Sequence, residues 1–340
     1  MIQARRLRPT VSGGSAEKLL ARSGSRCLSS RVNGDDPLCS WNEGSAKQAI
    51  LDFVAGVTDE GGSEFVPVDE RIAVFDDDGT LRPEQPVPAQ LAFARDRVRE
   101  LAPSHPEWTR QQPFKSVLEG DRTATAADGE RAIAEMVAAT HAGNTREEFA
   151  SIVERWIGSA LHPRFERPYP EVVYQPMLEV LRLLRAHRFR IFMVCGGGVD
   201  FVRPWVERAY GIPPEQVIGS RARLRYEVRS GKPIVTRLPE VDREGDRAGR
   251  PAGVAQAIGR RPIAAFGNSD RDVEMLEWAT AARGRRLGVI VHHTDAAREW
   301  AYDRDFSFSP LARALDEAPA RGWTVVDMQR DWSVVFGFQH

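Results

Sequence analysis

Short apolar runs alternate along this chain with longer segments of helical spacing, and their order predicts a fold before any motif is considered. A helix-like segment, Ala46–Val57, precedes Arg71-Ile72-Ala73-Val74-Phe75, an apolar run that stops abruptly at three aspartates. A run this short, bounded by turn residues, suits a buried parallel strand. From Pro86 to about Pro170 the spacing is helical, with Leu91, Ala94, Val98 and Leu101 on one stripe. Thr145 and Glu148 form a capping-box pattern ahead of a second stripe, Phe149, Ile152, Val153, Trp156 and Ile157, which makes Trp156 a packing residue. Alternation then returns. A helix over Met177–His187 leads to a strand, Phe189–Val194, broken by Gly196-Gly197-Gly198, and a helix follows around Asp200–Tyr210. A short strand is expected at Gln216–Gly219, and Leu224, Tyr226 and Val228 alternate before the Ser230-Gly231 turn as a small antiparallel hairpin. Ile263–Phe266 is a third buried strand, ending at Gly267, while Leu287–His292 and Thr324–Asp327 supply two more. Strands alternating with helices predict an α/β fold, a parallel sheet wrapped on both faces, with a helical insertion after the first strand.

Composition narrows the function classes. With 47 basic and 48 acidic residues the formal net charge is -1, which provides no global field for nucleic acid or an anionic membrane. A hydrophobic fraction of 42% is ordinary for a globular chain. No apolar run approaches the ~20 residues of a bilayer span. The three cysteines, Cys27, Cys39 and Cys195, are too few and scattered for a zinc site or a disulfide framework. Residues 1–36 carry Arg5, Arg6, Arg8, Lys18, Arg22, Arg26 and Arg31 among many Ser and Gly, with no apolar stretch behind them. That segment is expected to be a basic, unstructured tail rather than a secretory signal, and the expected compartment is the cytoplasm.

The polar clusters fall where the predicted strands end, which in such sheets is where ligands bind. Asp76-Asp77-Asp78-Gly79-Thr80 comes first. In an extended segment residues two apart point the same way, so Asp76 and Asp78 can share a pocket, one as nucleophile and the other as proton donor. Two carboxylates that close repel each other, and a divalent cation relieves the repulsion. The later acidic positions of a calcium loop are missing. Val194-Cys195-Gly196-Gly197-Gly198 places a small polar residue and backbone N–H groups where an anion can sit. Gly267-Asn268-Ser269-Asp270-Arg271-Asp272 brings hard oxygen donors suited to Mg²⁺. His292-His293 reads as a strand-end surface pair, and Trp41, Trp300, Trp323 and Trp332 read as packing residues.

With these clusters in this order, the chain resembles the haloacid dehalogenase-like superfamily, most closely its phosphoserine-phosphatase-like branch, over roughly residues 37–340. Phe75-Asp76-Asp77-Asp78-Gly79-Thr80-Leu81 matches the first motif of that superfamily, and the second aspartate argues for phosphate chemistry. The resemblance implies a Rossmann-like core over residues 37–83 and 173–340, and a helical cap over 84–172. It implies Asp76 as the residue that becomes an aspartyl-phosphate and Asp78 as general acid and then base. Mg²⁺ would be held by Asp76, the carbonyl of Asp78, Asn268 and Asp272, and the phosphoryl group by Cys195, Gly196 and Arg250. The expected partner is a small phosphorylated metabolite, with no nucleic acid and no membrane span.

The departures from that pattern are informative. Ser or Thr usually stands where this chain has Cys195, and Lys where it has Arg250; relatives of this branch carry Asn at Asp77, an aromatic at Arg82 and Gly at Arg271. A thiol is a weaker donor than a hydroxyl, and Arg is bulkier than Lys. The leading expectation is therefore a Mg²⁺-dependent phosphomonoester hydrolase. Its rivals are a phosphotransferase or mutase with the same nucleophile, and a binding protein that keeps the fold with weakened chemistry.

Overall fold

A computed structural model describes residues 36–120, 129–242 and 248–339. The expected basic tail lies outside the described residues except for Asp36, whose carboxylate pairs with Lys47 at 2.6 Å. Among the described residues eight strands form one sheet. They are β1 (Ile72–Phe75), β2 (Arg190–Gly198), β3 (Val217–Arg229), β4 (Lys232–Asp242), β5 (Ala264–Gly267), β6 (Leu287–Thr294), β7 (Ala301–Tyr302) and β8 (Thr324–Asp327). The order is β4-β3-β2-β1-β5-β6-β7, with β8 also paired to β6. The β3-β2-β1-β5-β6-β8 pairings are parallel, while β4 and β7 pair antiparallel at the edges.

The period-2 alternation of the strands explains why both faces are covered. Ala73 and Phe75 of β1, Ile191 and Met193 of β2, and Val289 and Val291 of β6 face one apolar cluster. Helix α1 (Ser45–Thr58) packs there through Ile50, Phe53 and Val54. The intervening residues, Ile72, Val74, Phe192, Val194 and Ile290, belong to a second cluster. Among the described residues the insertion that follows β1 carries four α-helices: α2 (Ala89–Leu101), α3 (Phe114–Glu119), α4 (Gly129–His141) and α5 (Arg146–Ser159). The apolar residues of this helical insertion join the first cluster, so insertion and sheet share one continuous core. The Thr145–Glu148 capping box that starts α5 is present, with both reciprocal hydrogen bonds made.

After the insertion come α6 (Gln175–Ala186), which covers the first face through Met177, Val180 and Leu181, and α7 (Val199–Tyr210). The second face is covered by α8 (Gly249–Ile258), α9 (Val273–Thr280) and α10 (Arg313–Arg321), and α11 (Met328–Asp331) follows β8. Two expectations need correction. The strand expected to break at Gly196 continues to Gly198 with an irregular register after Cys195. The short strand and the separate hairpin arm are one strand, β3, which leaves the sheet and turns back as β4. No helix among the described residues is long and apolar enough to cross a membrane.

The insertion also buries a histidine. His141 stacks on Phe93 with ring centroids 5.3 Å apart and meets Phe149 edge-on at 4.7 Å. Burial, then the nearby Arg97 and Arg237 charges, lower its pKa to about 3. An unfolded chain would take up a proton near pH 6.5 that the fold refuses, so this residue's contribution to stability is lost as pH falls through that value. The stability difference between the wild type and His141→Phe should therefore shift against the wild type by about 2 kcal/mol between pH 7 and pH 5. Urea titrations of both proteins at the two pH values measure it; a constant difference would show that His141 is protonated in the fold.

Candidate active site

Because β1, β2 and β5 are adjacent and parallel, their carboxyl ends open on the same edge of the sheet. β1 and β5 are held together by the stacked rings of Phe75 and Phe266, 4.1 Å apart, and by the Asp76 N–H donating to Phe266 O at 3.0 Å. Asp76 and Asp78 follow β1, Cys195 and Gly196 lie at the end of β2, and Asn268 to Asp272 follow β5. Asp76, Asp78, Cys195, Gly196, Arg250, Ser269 and Arg271 line a single cavity of about 140 Å³. Asn268 and Asp272 lie just behind it.

Arg250, near the start of α8, ties two of these carboxylates together. Its Nη1 donates to Asp76 Oδ1 at 2.7 Å and also to Asp272 Oδ1. Both contacts come from one nitrogen, an arrangement that a lysine ammonium would also satisfy. Asp272 Oδ2 accepts from the Asn268 N–H, the Ser269 N–H and Ser269 Oγ, each at 3.0 Å. Burial pushes the Asp76 carboxyl well above its ordinary range; Arg250 opposes the shift, and Asp272 and Asp78 add to it. An added cation would favour the ionised form of such a crowded group.

The donors suit a hard cation in a particular way. Among the described residues no three acidic, His or Cys side chains surround one point, because Arg250 spans Asp76 and Asp272. What remains for an ion is the Asp76 carboxylate, backbone carbonyls and Asn268 Oδ1, which accepts from Thr80 Oγ1 at 3.1 Å. One carboxylate supplemented by neutral oxygens and water is a set that Mg²⁺ accepts. Asp272, with both oxygens already engaged by protein donors, is better placed to fix the Asn268 backbone than to touch an ion.

Cys195 is 4% exposed and its thiol points at backbone, 3.5 Å from both Gly197 O and Ile218 O. Burial raises its pKa, which keeps the thiol protonated. The neighbouring glycines are partly occupied too. Gln90, on α2, accepts from the Gly198 N–H at 2.9 Å, and a side chain at Gly197 would collide with its Oε1 at 2.2 Å.

The turn after Asp76 is tight. Gly79 sits at φ +84, and a Cβ there would lie 2.0 Å from Asn268 Nδ2. Behind that turn is a buried ion pair. Asp77 is 1% exposed and accepts from Tyr210 OH at 3.0 Å, and Arg82 Nη2 lies 3.0 Å from Asp77 Oδ2 and 2.9 Å from Asp78 Oδ1. The Arg82 guanidinium also lies over the Trp205 ring at 4.7 Å. Burial raises Asp77 to about 6 even with Arg82 beside it.

Three further residues had no motif to announce them. Glu84 is 3% exposed, lines the cavity, and accepts from Asn268 Nδ2 at 2.9 Å and Tyr302 OH at 2.8 Å; burial pushes it up to about 7. His293 is not a surface residue. It is 2% exposed, holds Gly79 O through Nε2 at 2.8 Å and meets Glu299 through Nδ1 at 3.1 Å. His292, its neighbour, is half-buried beside Asp303. Arg237, on β4, lines the cavity opposite the strand ends. The tryptophans expected to pack do so: Trp41 and Trp332 meet edge-on at 5.9 Å, away from the cavity. Lys232 sits exposed at the tip of the hairpin.

The Asp77–Arg82 pair makes a stability prediction. Arg82→Met should cost about 3–5 kcal/mol at neutral pH, because it leaves a buried carboxylate without its counter-charge. Adding Asp77→Asn should recover much of that loss, since both charges then leave together. Chemical denaturation of the two single variants and the double variant completes the cycle; additive losses would show that the charges do not sense each other.

Comparisons with known proteins bear on the family. No curated protein matches the chain. Among solved structures, a protein of unknown function from Bordetella pertussis Tohama I is 20% identical, with a TM-score of 0.49, covering 76% of this chain and 99% of that one. A conserved functionally unknown protein from Anaerococcus prevotii DSM 20548 is 14% identical, with a TM-score of 0.47, covering 83% and 96%. A phosphoserine phosphohydrolase-like protein from Francisella tularensis subsp. tularensis SCHU S4 is 16% identical, with a TM-score of 0.36, covering 65% and 87%. A family profile described as haloacid dehalogenase-like hydrolase matches residues 73–277. That span runs from the strand that ends in Asp76 past the one that ends before Asn268, and the chain belongs to the haloacid dehalogenase-like hydrolase family.

Proposed function

We propose that this protein is a Mg²⁺-dependent phosphomonoester hydrolase that works through an aspartyl-phosphate on Asp76 and acts on a small phosphorylated metabolite. The observation that carries the reading is the buried Asp76 carboxylate, held by Arg250 on the wall of a cavity that Asp78 also lines. A carboxylate in that setting is positioned by its partner, screened from water and open to one ligand.

In the first half-reaction an Asp76 oxygen attacks phosphorus, the bond from phosphorus to the leaving oxygen breaks, and Asp78 supplies the proton that the alcohol needs. In the second half-reaction Asp78 takes a proton from water as it attacks the phosphorus of the aspartyl-phosphate, which releases phosphate and restores Asp76. Arg250 balances the charge of Asp76 and the phosphoryl oxygens throughout, and the Gly196 backbone borders the same space. Bound Mg²⁺, held by Asp76, the Asp78 carbonyl and Asn268, with Asp272 behind it, supplies charge neutralisation for the transferring group. Arg82 fixes the orientation of Asp78 from 2.9 Å away. The chain's balanced charge and the small volume of the cavity, about 140 Å³, support a small-molecule partner over nucleic acid.

Asp76→Asn should abolish phospho-enzyme formation, since it removes the nucleophile. Asp78→Asn should lower kcat by about 10²–10⁴ and, with an activated ester, accumulate label on Asp76. Excess EDTA should abolish turnover, and added Mg²⁺ should restore it. Acid-quench labelling with peptide mapping reads the first two outcomes, and phosphate release reads the third. Label at another residue, or full activity in chelator, would overturn the assignment. A folded protein that binds phosphate esters and turns none over would instead be the binding-protein alternative.

A further inference from the structure

The strand ladder lapses where the cavity meets the end of β2. β2 pairs with β1 only as far as Met193 opposite Phe75, and with β3 as far as Cys195 opposite Gly219; the next pair on that side is Gly198 opposite Ser220. Gly196 and Gly197 therefore have no ladder partner on either neighbouring strand, and both line the cavity. An excursion of this kind turns backbone N–H groups out of the sheet, where they can meet an anion. It is also soft by itself, because glycine has the widest choice of backbone conformations and loses the most freedom when ordered.

Gln90 closes the far side of that excursion. It is the second residue of α2, 7% exposed, and comes from the insertion rather than from the sheet. Its Oε1 accepts from the Gly198 N–H at 2.9 Å, which pins the residue at which the ladder resumes. The same amide presses on the excursion: a Cβ on Gly197 would lie 2.2 Å from Oε1, and one on Gly198 would lie 3.0 Å from Nε2. At Gly197 every contact of that Cβ within 4 Å is with Gln90. Glycine at 197 thus answers to the approach of an amide, not to a left-handed backbone.

The contact is not needed to join the insertion to the sheet. Leu91, Phe93 and Ala94 of the same helix are fully buried in the shared core, and the backbone at 143–144 is bonded to that of Arg237. One further amide adds little to that attachment, yet it falls where the ladder lapses and the cavity begins.

We propose that Gln90 is a positioning residue for phosphoryl transfer: it holds the Gly196–Gly197 backbone in its bulged form, so that the N–H groups there are in place for the transferring oxygens before substrate arrives. This rests on the hydrolase reading above and adds to it a residue that no motif contains. Preorganised donors aimed at charge that develops during transfer act on the transition state more than on bound substrate, so the effect falls on kcat.

The test uses the full chain with Mg²⁺ and whichever of propyl phosphate, glycerol 3-phosphate and 4-nitrophenyl phosphate the wild type turns over fastest. Orthovanadate, which adopts the five-coordinate shape of a phosphoryl group in transfer, serves as the inhibitor. Gln90→Met keeps the side-chain length and loses the acceptor. It should lower kcat and raise the inhibition constant for orthovanadate, each by about tenfold, with KM and the melting temperature little changed. A residue that merely braced the fold would move the melting temperature and leave the orthovanadate constant of the folded protein alone. Gly197→Ala should reproduce the loss, because its Cβ displaces the amide, and adding it to Gln90→Ala should cost little more. Unchanged kcat and orthovanadate affinity in folded Gln90→Met overturn the proposal. So does a Gly197→Ala loss that persists in full beside Gln90→Ala, since the new methyl would then be obstructing the ligand itself. If neither Gln90 variant folds, Gly197→Ala decides alone, and wild-type kcat and orthovanadate affinity there overturn the proposal. Failure of the wild type to hydrolyse any of the three esters would defeat the hydrolase reading itself, and this proposal with it.

Discussion

The contact on which the rest of the site depends is that of Arg250 with Asp76 and Asp272. Parallel strands deliver Asp76 and the Asn268–Asp272 turn to neighbouring positions at one sheet edge, and the apolar layers on both faces shut out water there. Two carboxylates in such a place repel each other and lose hydration. One guanidinium between them offsets part of that conflict, and burial still leaves Asp76 well above the ordinary carboxylate range. It also divides the two roles. Asp272 turns its other oxygen to the backbone and hydroxyl of the Asn268–Ser269 turn, while Asp76 faces the cavity. A carboxylate open to the cavity and a scaffold emerge from two chemically identical side chains because of what surrounds each.

The same rule of paired burial explains the departures around the first motif. Read singly, Asp77 and Arg82 are two unusual residues, but in the fold they are one ion pair, closed beneath by Trp205 and at the side by Tyr210. An acid at position 77 brings a charge into a space 1% exposed, and the base at 82 offsets it. The pair also borders the cavity, because Arg82 reaches Asp78, which lines it. Glu84 shows the opposite solution. With hydrogen-bond donors and only the His293 imidazole to offset its charge, burial lifts its pKa to about 7 and the group can keep its proton.

How much of this was readable in the sequence follows from the range of each interaction. β1, β5 and β8 were visible because buried parallel strands are short, continuous apolar runs. Asp76 and Asp78 were visible because a side-chain period of two puts them together without any tertiary knowledge. The Thr145 capping box was visible because it closes within one turn. Contacts between distant segments had no such signal. His293 meets Gly79 across 214 positions, Gln90 meets Gly198 across 108, and Arg250 meets Asp76 across 174. His293 in particular looked like the end of a strand facing solvent, and it is buried because β7 doubles back and stacks Tyr302 on its ring at 4.4 Å. The single long β3 was misread because its two halves obey different patterns: Val217, Ile218 and Gly219 are buried in the sheet, whereas Leu224, Tyr226 and Val228 are exposed on the arm.

That arm changes how the cavity is to be understood. The helices between β1 and β2 cover the strand ends, yet they do not do so alone. Thr145 pairs with Thr236, and the backbone at 143–144 exchanges hydrogen bonds with Arg237, so the insertion is fastened to the hairpin as well as to the apolar core. β3, in turn, is continuous from the sheet, where Val217 to Gly219 pair with Met193 to Cys195. A covalent and hydrogen-bonded path therefore runs from β2, through the hairpin, to the cap of α5. Any displacement of the insertion relative to the sheet must either carry the hairpin with it or break those backbone bonds. The residues that line the cavity from the strand ends and from the insertion are consequently placed by one connected framework.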